Sequence, residues 1–220
     1  MDDITENRPP ALVIAGGDLA GPLPDLDEHA YVVAVDGGLR HAVRLGIAPD
    51  VIVGDLDSVD GAQLASAIAA GVVVERHDVD KDATDWELAL HHVRKAGYRS
   101  VVIVGGGGGR LDHLVANALT LASGDYSDLH VVWHIGPATV RVARPGSAVE
   151  IQGRRGDTVT LLAVGGEATG VTTSGLRWPL VDGVLPSGSS LGVSNELIEE
   201  EATITTAAGT LLIIHERAQP

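Results

Sequence analysis

Cysteine and phenylalanine are absent from this chain of 220 residues, and lysine occurs only at Lys81 and Lys95. Without cysteine there is no disulfide scaffold and no thiolate chemistry, so any metal must be held by carboxylates or imidazoles. No apolar run approaches the roughly 18 residues that a membrane-spanning helix needs. The acidic start Met1-Asp2-Asp3-Ile4-Thr5-Glu6 is the wrong n-region for a secretory signal. Positive charge is scarce, with Lys+Arg 15 against Asp+Glu 30 and a formal net charge of −15. Such a surface repels nucleic acid and anionic lipid, so neither is expected as a partner. These absences point to a soluble, cytoplasmic protein.

What is present excludes wholesale disorder: 45% of residues are hydrophobic and 20% charged. Three Trp and three Tyr are the only aromatic residues, so the core must rest on Val, Leu, Ile and Ala. The first two-thirds alternate short apolar runs with helical patterns. Strands are expected at Ala11–Ala15, Tyr31–Val35, Val51–Val53, Val72–Glu75, Ser100–Val104 and Leu129–Trp133. Helices are expected at Leu39–Leu45, Gly61–Ala70, Asp85–Ala96 and Leu111–Ala122; Thr84-Asp85-Trp86-Glu87 reads as a capping box for the third. This alternation argues an α/β domain with a doubly wound, mainly parallel sheet.

From about Pro137 helices disappear. Thr139–Ala143, Ala148–Gln152, Thr158–Ala163, Ala168–Thr173, Ser189–Val193, Glu201–Thr206 and Thr210–His215 read as strands punctuated by Gly and Pro. That spacing suits a small all-β sandwich. The expected division is an α/β domain over 1–143 and a β domain over 144–220.

Four polar segments directly follow expected strands. They are Asp36-Gly37-Gly38, then Gly54-Asp55-Leu56-Asp57-Ser58, then Asp78 through Asp85, and finally Gly105 through His113. In a parallel sheet such loops emerge at the carboxyl edge, where open α/β folds bind ligands. Asp36, Asp55, Asp57, Asp80, Asp82 and Asp85 would converge there. Carboxylates this dense repel one another unless a cation sits among them, and oxygen-only ligands suit Mg²⁺ bridged to substrate phosphates. The alternative is that some only cap helices or solvate loops.

The run Gly105–Gly109 between a strand and a helix lets backbone N–H groups approach an anion closely. Arg110 would add a charge-assisted contact to phosphate oxygens. No Gly-Lys-Ser/Thr follows, so this is not a Walker A loop, and Arg110 breaks G-x-G-x-x-G. A merely flexible loop is the competing reading. The nine histidines lack metal-ligand spacing; His113, beside Arg110 and Asp112, is the one placed for a functional role.

On these residues the chain resembles the thiamine pyrophosphokinase (thiamine diphosphokinase) family. The matching segments are Asp36-Gly37-Gly38 with Leu45 through Asp50, Gly54 through Ser58, Asp80 through Leu90, and Gly108 through His113 on to Asn117. Gly175 through Leu180 and Ser194-Asn195-Glu196 match in the last third. The resemblance implies transfer of a diphosphoryl group from ATP to thiamine, giving thiamine diphosphate and AMP with Mg²⁺. It also implies a homodimer with active sites between subunits, and a β domain contributing to thiamine binding and dimerisation. Asp55, Asp57 and Asp85 match the metal and catalytic acids. Asp36, Gly37, Lys81, Asp82, Thr84, Gly108, Gly109, Arg110, Asp112, His113 and Asn117 match nucleotide-side positions, and Trp178, Ser194 and Asn195 thiamine-side ones. The long glycine run departs from the family pattern and shifts the loop register by up to a residue.

Three rival readings stay open at this point. Asp55-Leu56-Asp57 after a strand also resembles the D-x-D of phosphatases that form an aspartyl-phosphate, though no later Lys and acidic-pair motif follows. A pyrophosphokinase for another hydroxyalkyl heterocycle, such as a hydroxymethylpterin, would need the same parts. A non-catalytic thiamine or nucleotide sensor would not need the full acid set.

Overall fold

Apolar runs too short for helices, set between amphipathic stretches, form a parallel sheet in the first half of the chain. The structure, a computed structural model, describes residues 8–26, 29–78, 80 and 82–218. Met1–Glu6 and Lys81 lie outside the described residues. The chain divides into two compact units: Met1–Asn117 with Asp128–Gly136, and Ala118–Ser127 with Pro137–Pro220.

The first unit contains β1 (Ala11–Ile14), β2 (Tyr31–Val35), α1 (Gly38–Leu45), β3 (Val51–Gly54), α2 (Gly61–Ala69), β4 (Val73–Arg76), α3 (Asp85–Lys95), β5 (Ser100–Val104) and β6 (His130–Ile135). Helix α4 (Leu111–Ala122) starts there, directly after the glycine run. The strands pair in the order β4-β3-β2-β1-β5-β6, every neighbour parallel. The direction of winding reverses between β1 and β5, the kind of crevice at which open α/β sheets bind ligands.

Helix α1 packs Ala42 onto Leu12, Ile14 and Val32, and Leu39 joins Ala67 of α2 over Ala34 and Ile52. Helix α3 buries Trp86, Ala89, Leu90 and Val93 and packs on β2 and β3. Its connection runs back from β4 to β5, and a right-handed crossover in that direction places it on the opposite face. The Thr84 side of the expected capping box is formed: Glu87 N donates to Thr84 Oγ1 at 3.2 Å. β4 is the exception to the buried-strand reading. It pairs with β3, and Val73 is 61% exposed, as befits a sheet edge.

The second unit is β-rich, with β7 (Ala138–Ala143), β8 (Val149–Gln152), β9 (Thr158–Ser174), β10 (Gly183–Leu185), β11 (Asn195–Glu196), β12 (Glu201–Thr205) and β13 (Ala208–Glu216). β13 pairs antiparallel with β7 and with the first half of β9, whereas the end of β9 pairs with β12, which in turn pairs with β8. Both layers share one core that includes Ile151, Leu161, Val171, Leu197, Ile204 and Ile213.

Two sequence expectations need correction here. Thr158–Ala163 and Ala168–Thr173 are not separate strands but parts of β9, 17 residues long. Gly165 and Gly166 lie at positive φ opposite a register shift between Ala208 and Thr210, so the ladder bends without ending. Ser189–Val193 is a turn rather than a strand. Leu191 N donates to Ser189 Oγ at 3.1 Å and Val193 N to Ser190 O at 3.1 Å. Those local bonds satisfy the backbone without a ladder.

Near the end of β13, His215 Nε2 lies 2.9 Å from Asp157 Oδ2, and both side chains are almost fully buried. Burial works to raise the Asp157 pKa. Hydrogen bonds from Arg154 N, Ala218 N and His215 outweigh it and hold the carboxyl below its ordinary value. A depressed folded-state pKa adds stability that is present above the unfolded value, near 3.9, and is lost as pH falls through the folded value. Urea unfolding of the wild type should therefore weaken steeply below about pH 4. Asp157→Asn should be less stable at pH 7 and show a shallower decline in acid; an unchanged acid limb would remove Asp157 from that role.

Candidate active site

The loop after each of β1, β2, β3 and β5, together with the start of α3, opens onto one cavity of about 710 Å³ in the first unit. Asp36, Gly37, Asp55, Asp57, Thr84, Asp85, Gly108, Gly109, Arg110, His113 and Asn117 all line it. Asp82 and Asp112 are exposed and are not among its lining residues.

The position of the acids follows from the turns that end the strands. Asp36 leaves β2 at φ +45°, a conformation costly for a residue with a Cβ. Its N–H donates to Val53 O at 2.9 Å, and its carboxylate accepts a short hydrogen bond from Ser58 Oγ. At Gly54 a Cβ would stand 3.1 Å from Asp36 Cβ and 3.3 Å from Asp85 Oδ1. Only glycine lets these two side chains close over the end of β3.

Carboxylate oxygens of Asp36, Asp55 and Asp57 lie within 4.8 Å of one another. The Asp57 pKa is pushed up, first by the charge of Asp55, then by desolvation and by Asp36 and Asp85. Asp36 Oδ1 is buried and has no hydrogen-bond partner among the described residues. Crowded acids with an orphaned oxygen fit a hard cation, because a buried polar atom left unpaired costs about 1–3 kcal/mol. Asp36, Asp55 and Asp57 are thus the residues placed to hold a metal, with Asp85 lining the same cavity.

In the same cavity lining, Gly106 N donates to Gly16 O at 2.7 Å, and next to it Asp18 N donates to Gly107 O at 2.5 Å. The β1 loop and the glycine run therefore form one bonded rim. Trp86 and Trp133 stack obliquely at 4.8 Å, and both lie within 3.5 Å of where a Gly106 Cβ would be. Trp133 Nε1 donates to Gly105 O at 2.8 Å, whereas Trp86 Nε1 and Asn117 Oδ1 are buried with no partner among the described residues. Arg110 forks onto Asp112, with Nε 3.1 Å from Oδ1 and Nη2 2.5 Å from Oδ2. The fork lowers the Asp112 pKa to about 2.

Ser58 and Gly106 also line the cavity, within two of the loops expected at that edge, whereas sequence reasoning missed Gly16, Gly17, Arg40 and Trp86. Gly16-Gly17 carried the same signal as the other loops, since two glycines directly follow the first strand. Arg40 and Trp86 sit on helices, where no motif marks the face they present.

In the second unit a smaller cavity of about 270 Å³ is lined by Leu161, Trp178, Pro179, Leu180, Ser190, Leu191, Gly192, Val193 and Asn195. Trp178 is 57% exposed, and the Arg177 guanidinium lies 5.0 Å from its ring centroid. Asn195 is buried. Its Oδ1 accepts from Trp178 N at 3.1 Å and Glu196 N at 2.9 Å, and its Nδ2 donates to Trp178 O at 2.8 Å. Its amide is spent on holding the Trp178 backbone. Ser194 is exposed, sits at φ +58° and donates its N–H to Thr160 Oγ1 at 3.0 Å; it is not among the cavity's lining residues.

An acid cluster and a glycine-rich run lining one cavity at the carboxyl edge of a parallel sheet suit a phosphate-bearing ligand with a cation, here in a chain that also carries a β-rich unit. Comparison with known proteins narrows the class. The thiamin pyrophosphokinase catalytic domain matches residues 25–133, and the thiamin pyrophosphokinase vitamin B1 binding domain matches residues 148–211. Thiamine pyrophosphokinase of Bacillus subtilis is 27% identical over 206 residues, covering 92% of this chain and 96% of that protein. Thiamine pyrophosphokinase 1 of Arabidopsis thaliana is 27% identical over 229 residues, covering 93% of this chain and 85% of its own length. A crystal structure of the Bacillus subtilis thiamine pyrophosphokinase aligns with a TM-score of 0.82 over 95% of this chain and 99% of that one, at 27% identity. The chain belongs to the thiamin pyrophosphokinase family. No helix among the described residues is long and apolar enough to cross a membrane.

Proposed function

We propose that this chain is an enzyme that converts thiamine to thiamine diphosphate using ATP, with Mg²⁺ as its cation and AMP as the nucleotide product. The observation that carries the reading is one cavity lined by both the acids and the glycines of the loops that follow the parallel strands. In the reaction the thiamine hydroxyl oxygen forms a bond to the β-phosphorus, the bond from that phosphorus to the α-phosphate oxygen breaks, and AMP leaves. Asp55 and Asp57, with Asp36 and Asp85 on the same cavity wall, would hold Mg²⁺, which would supply positive charge for the transferring and leaving oxygens. Asp85 takes or orients the hydroxyl proton. The amides of Gly37, Gly108 and Gly109 receive phosphate oxygens, and Lys81, Asp82, Thr84, Arg110, Asp112, His113 and Asn117 complete the nucleotide side. In this arrangement Asp112 holds Arg110 at the cavity mouth.

The β-rich unit recognises thiamine in this reading. One face of Trp178 carries Arg177, which leaves the other for the cationic thiazolium, an attraction of about 0.5–2 kcal/mol. Ser194 adds a hydroxyl, and Asn195 acts by fixing the Trp178 backbone. The enzyme works in the cytoplasm as a homodimer with its active sites between subunits.

The test is product identity. Incubation with ATP, Mg²⁺ and thiamine should give AMP and thiamine diphosphate in equal amounts, and EDTA should stop turnover. ADP as product would mean transfer of a single phosphoryl group and would sink the assignment; free phosphate without an acceptor would favour a phosphatase. Trp178→Ala should raise KM for thiamine several-fold and leave KM for ATP nearly unchanged, with Trp178→Phe recovering part of the loss. A large fall in Tm with thiamine affinity intact would instead make Trp178 a packing residue.

A further inference from the structure

Four aspartates line the large cavity: Asp36, Asp55, Asp57 and Asp85. A nucleotide polyphosphate is itself polyanionic, so its entry requires more positive charge than one divalent ion supplies. Arg40 and Arg110 are the arginines among the described lining residues. They differ in what they are already bonded to. Arg110 has its fork occupied by Asp112 through two hydrogen bonds of 3.1 and 2.5 Å. Arg40 forms no ion pair with any described carboxylate, all of the described pairs involving other residues. Among the described residues its one side-chain hydrogen bond runs from Nη2 to Gly17 O at 3.4 Å, near the outer limit for such a bond.

The location of Arg40 is well defined even though its head is loosely held. It sits in the first turn of α1, which starts at the close approach of Gly38 to β1, where an added Cβ would stand 2.0 Å from Ile14 O. From there it reaches the Gly17 carbonyl on the β1 loop, the loop bonded to the glycine run through Gly16 O and Gly106 N. His41 Nε2, 2.8 Å from the same Gly17 oxygen, and Arg44 Nη2, 3.2 Å from Leu19 O, hold that loop without help from Arg40. The loop has its fasteners, and the Arg40 guanidinium retains donors for a ligand.

We infer that Arg40 binds the polyphosphate chain of the nucleotide, as a cation that no described carboxylate pairs, on the rim formed by the β1 loop and the glycine run. This rests on reading the cavity as an ATP site. Its planar fork suits phosphate oxygens, and its long bond to Gly17 is readily exchanged for a charge-assisted one.

Calorimetric titration of the full chain with ATP, ADP and AMP, in Mg²⁺ and in EDTA, tests this directly. Arg40→Gln should weaken ATP and ADP binding by about tenfold or more and AMP binding far less, because the longer phosphate chain carries the extra charge. Arg40→Lys, which keeps the charge and loses the fork, should recover part of the affinity. Thiamine KM should stay within about twofold and Tm should not move, as expected when an exposed side chain with one weak bond is changed. Equal losses for ATP and AMP, or a fall in Tm, would show that Arg40 only shapes the loop, and unchanged ATP affinity would overturn the inference outright. If the wild type itself fails to bind any of the three nucleotides, the reading of the cavity fails with it; if the wild type binds and only the Arg40 contrast is missing, the cavity reading stands alone.

Discussion

Asp57→Asn should lower kcat by about 10²-fold or more while leaving the protein as stable as the wild type, or more so. The substitution is nearly isosteric and removes one of three carboxylates whose oxygens lie within 4.8 Å of one another. Its pKa is raised chiefly by Asp55, so the ionised side chain is held against repulsion in the absence of a cation. Loss of activity with gain of stability is the signature of a charge kept for chemistry. A scaffold residue would show the reverse, and a folded variant with near-normal kcat would exclude Asp57 from the site. Steady-state kinetics alongside urea unfolding decides between them.

A second large effect is expected from a single methyl group. At Gly38 an added Cβ would stand 2.0 Å from Ile14 O and 2.8 Å from Ile14 C, both backbone atoms of a central strand. Neither can move without shifting β1 against its two neighbours, so Gly38→Ala should cost about 2–4 kcal/mol and lower Tm by roughly 4 °C or more. The same shift would displace Asp36 and Arg40 on either side of Gly38, so kcat should fall in the fraction that still folds. Gly46→Ala is the contrast: nothing lies within 4 Å of its added Cβ, although φ is +71° there. Its effect should be confined to stability, at about 1 kcal/mol. Equal losses at the two positions would show that crowding at Ile14 is not the cause.

The site was legible wherever topology alone determines placement. Asp36, Asp55, Asp85 and Arg110 each come soon after a strand, and a parallel sheet delivers the loops that trail its strands to one edge. No side-chain detail was needed. Arg40 and Trp86 were not legible in this way, because helix position selects a face only after the helix has docked. The Arg110–Asp112 fork was equally hidden, since nearby opposite charges in a sequence do not say which acceptor a guanidinium takes. In the second unit β10 and β11 have three and two residues, too few for alternation to show. The turn at Ser189–Val193 carries two apolar side chains, Leu191 and Val193, that imitate a strand. Its serine and glycine positions were the better guide.

The length of β9 bears on the order in which this protein can assemble. Its first half is bonded along Thr158–Val164 to β13, whose residues Ala208–Glu216 come some forty to sixty residues later in the sequence. While the chain is still emerging from a ribosome, that half of β9 has no β13 to pair with, and apolar Leu161 and Val159 wait uncovered. Closing a loop of some forty to sixty residues before any ladder forms makes the step slow. Truncation within β13 should therefore leave a β-rich half exposed to association with other chains, while the local βα pairings of the first half form early and independently.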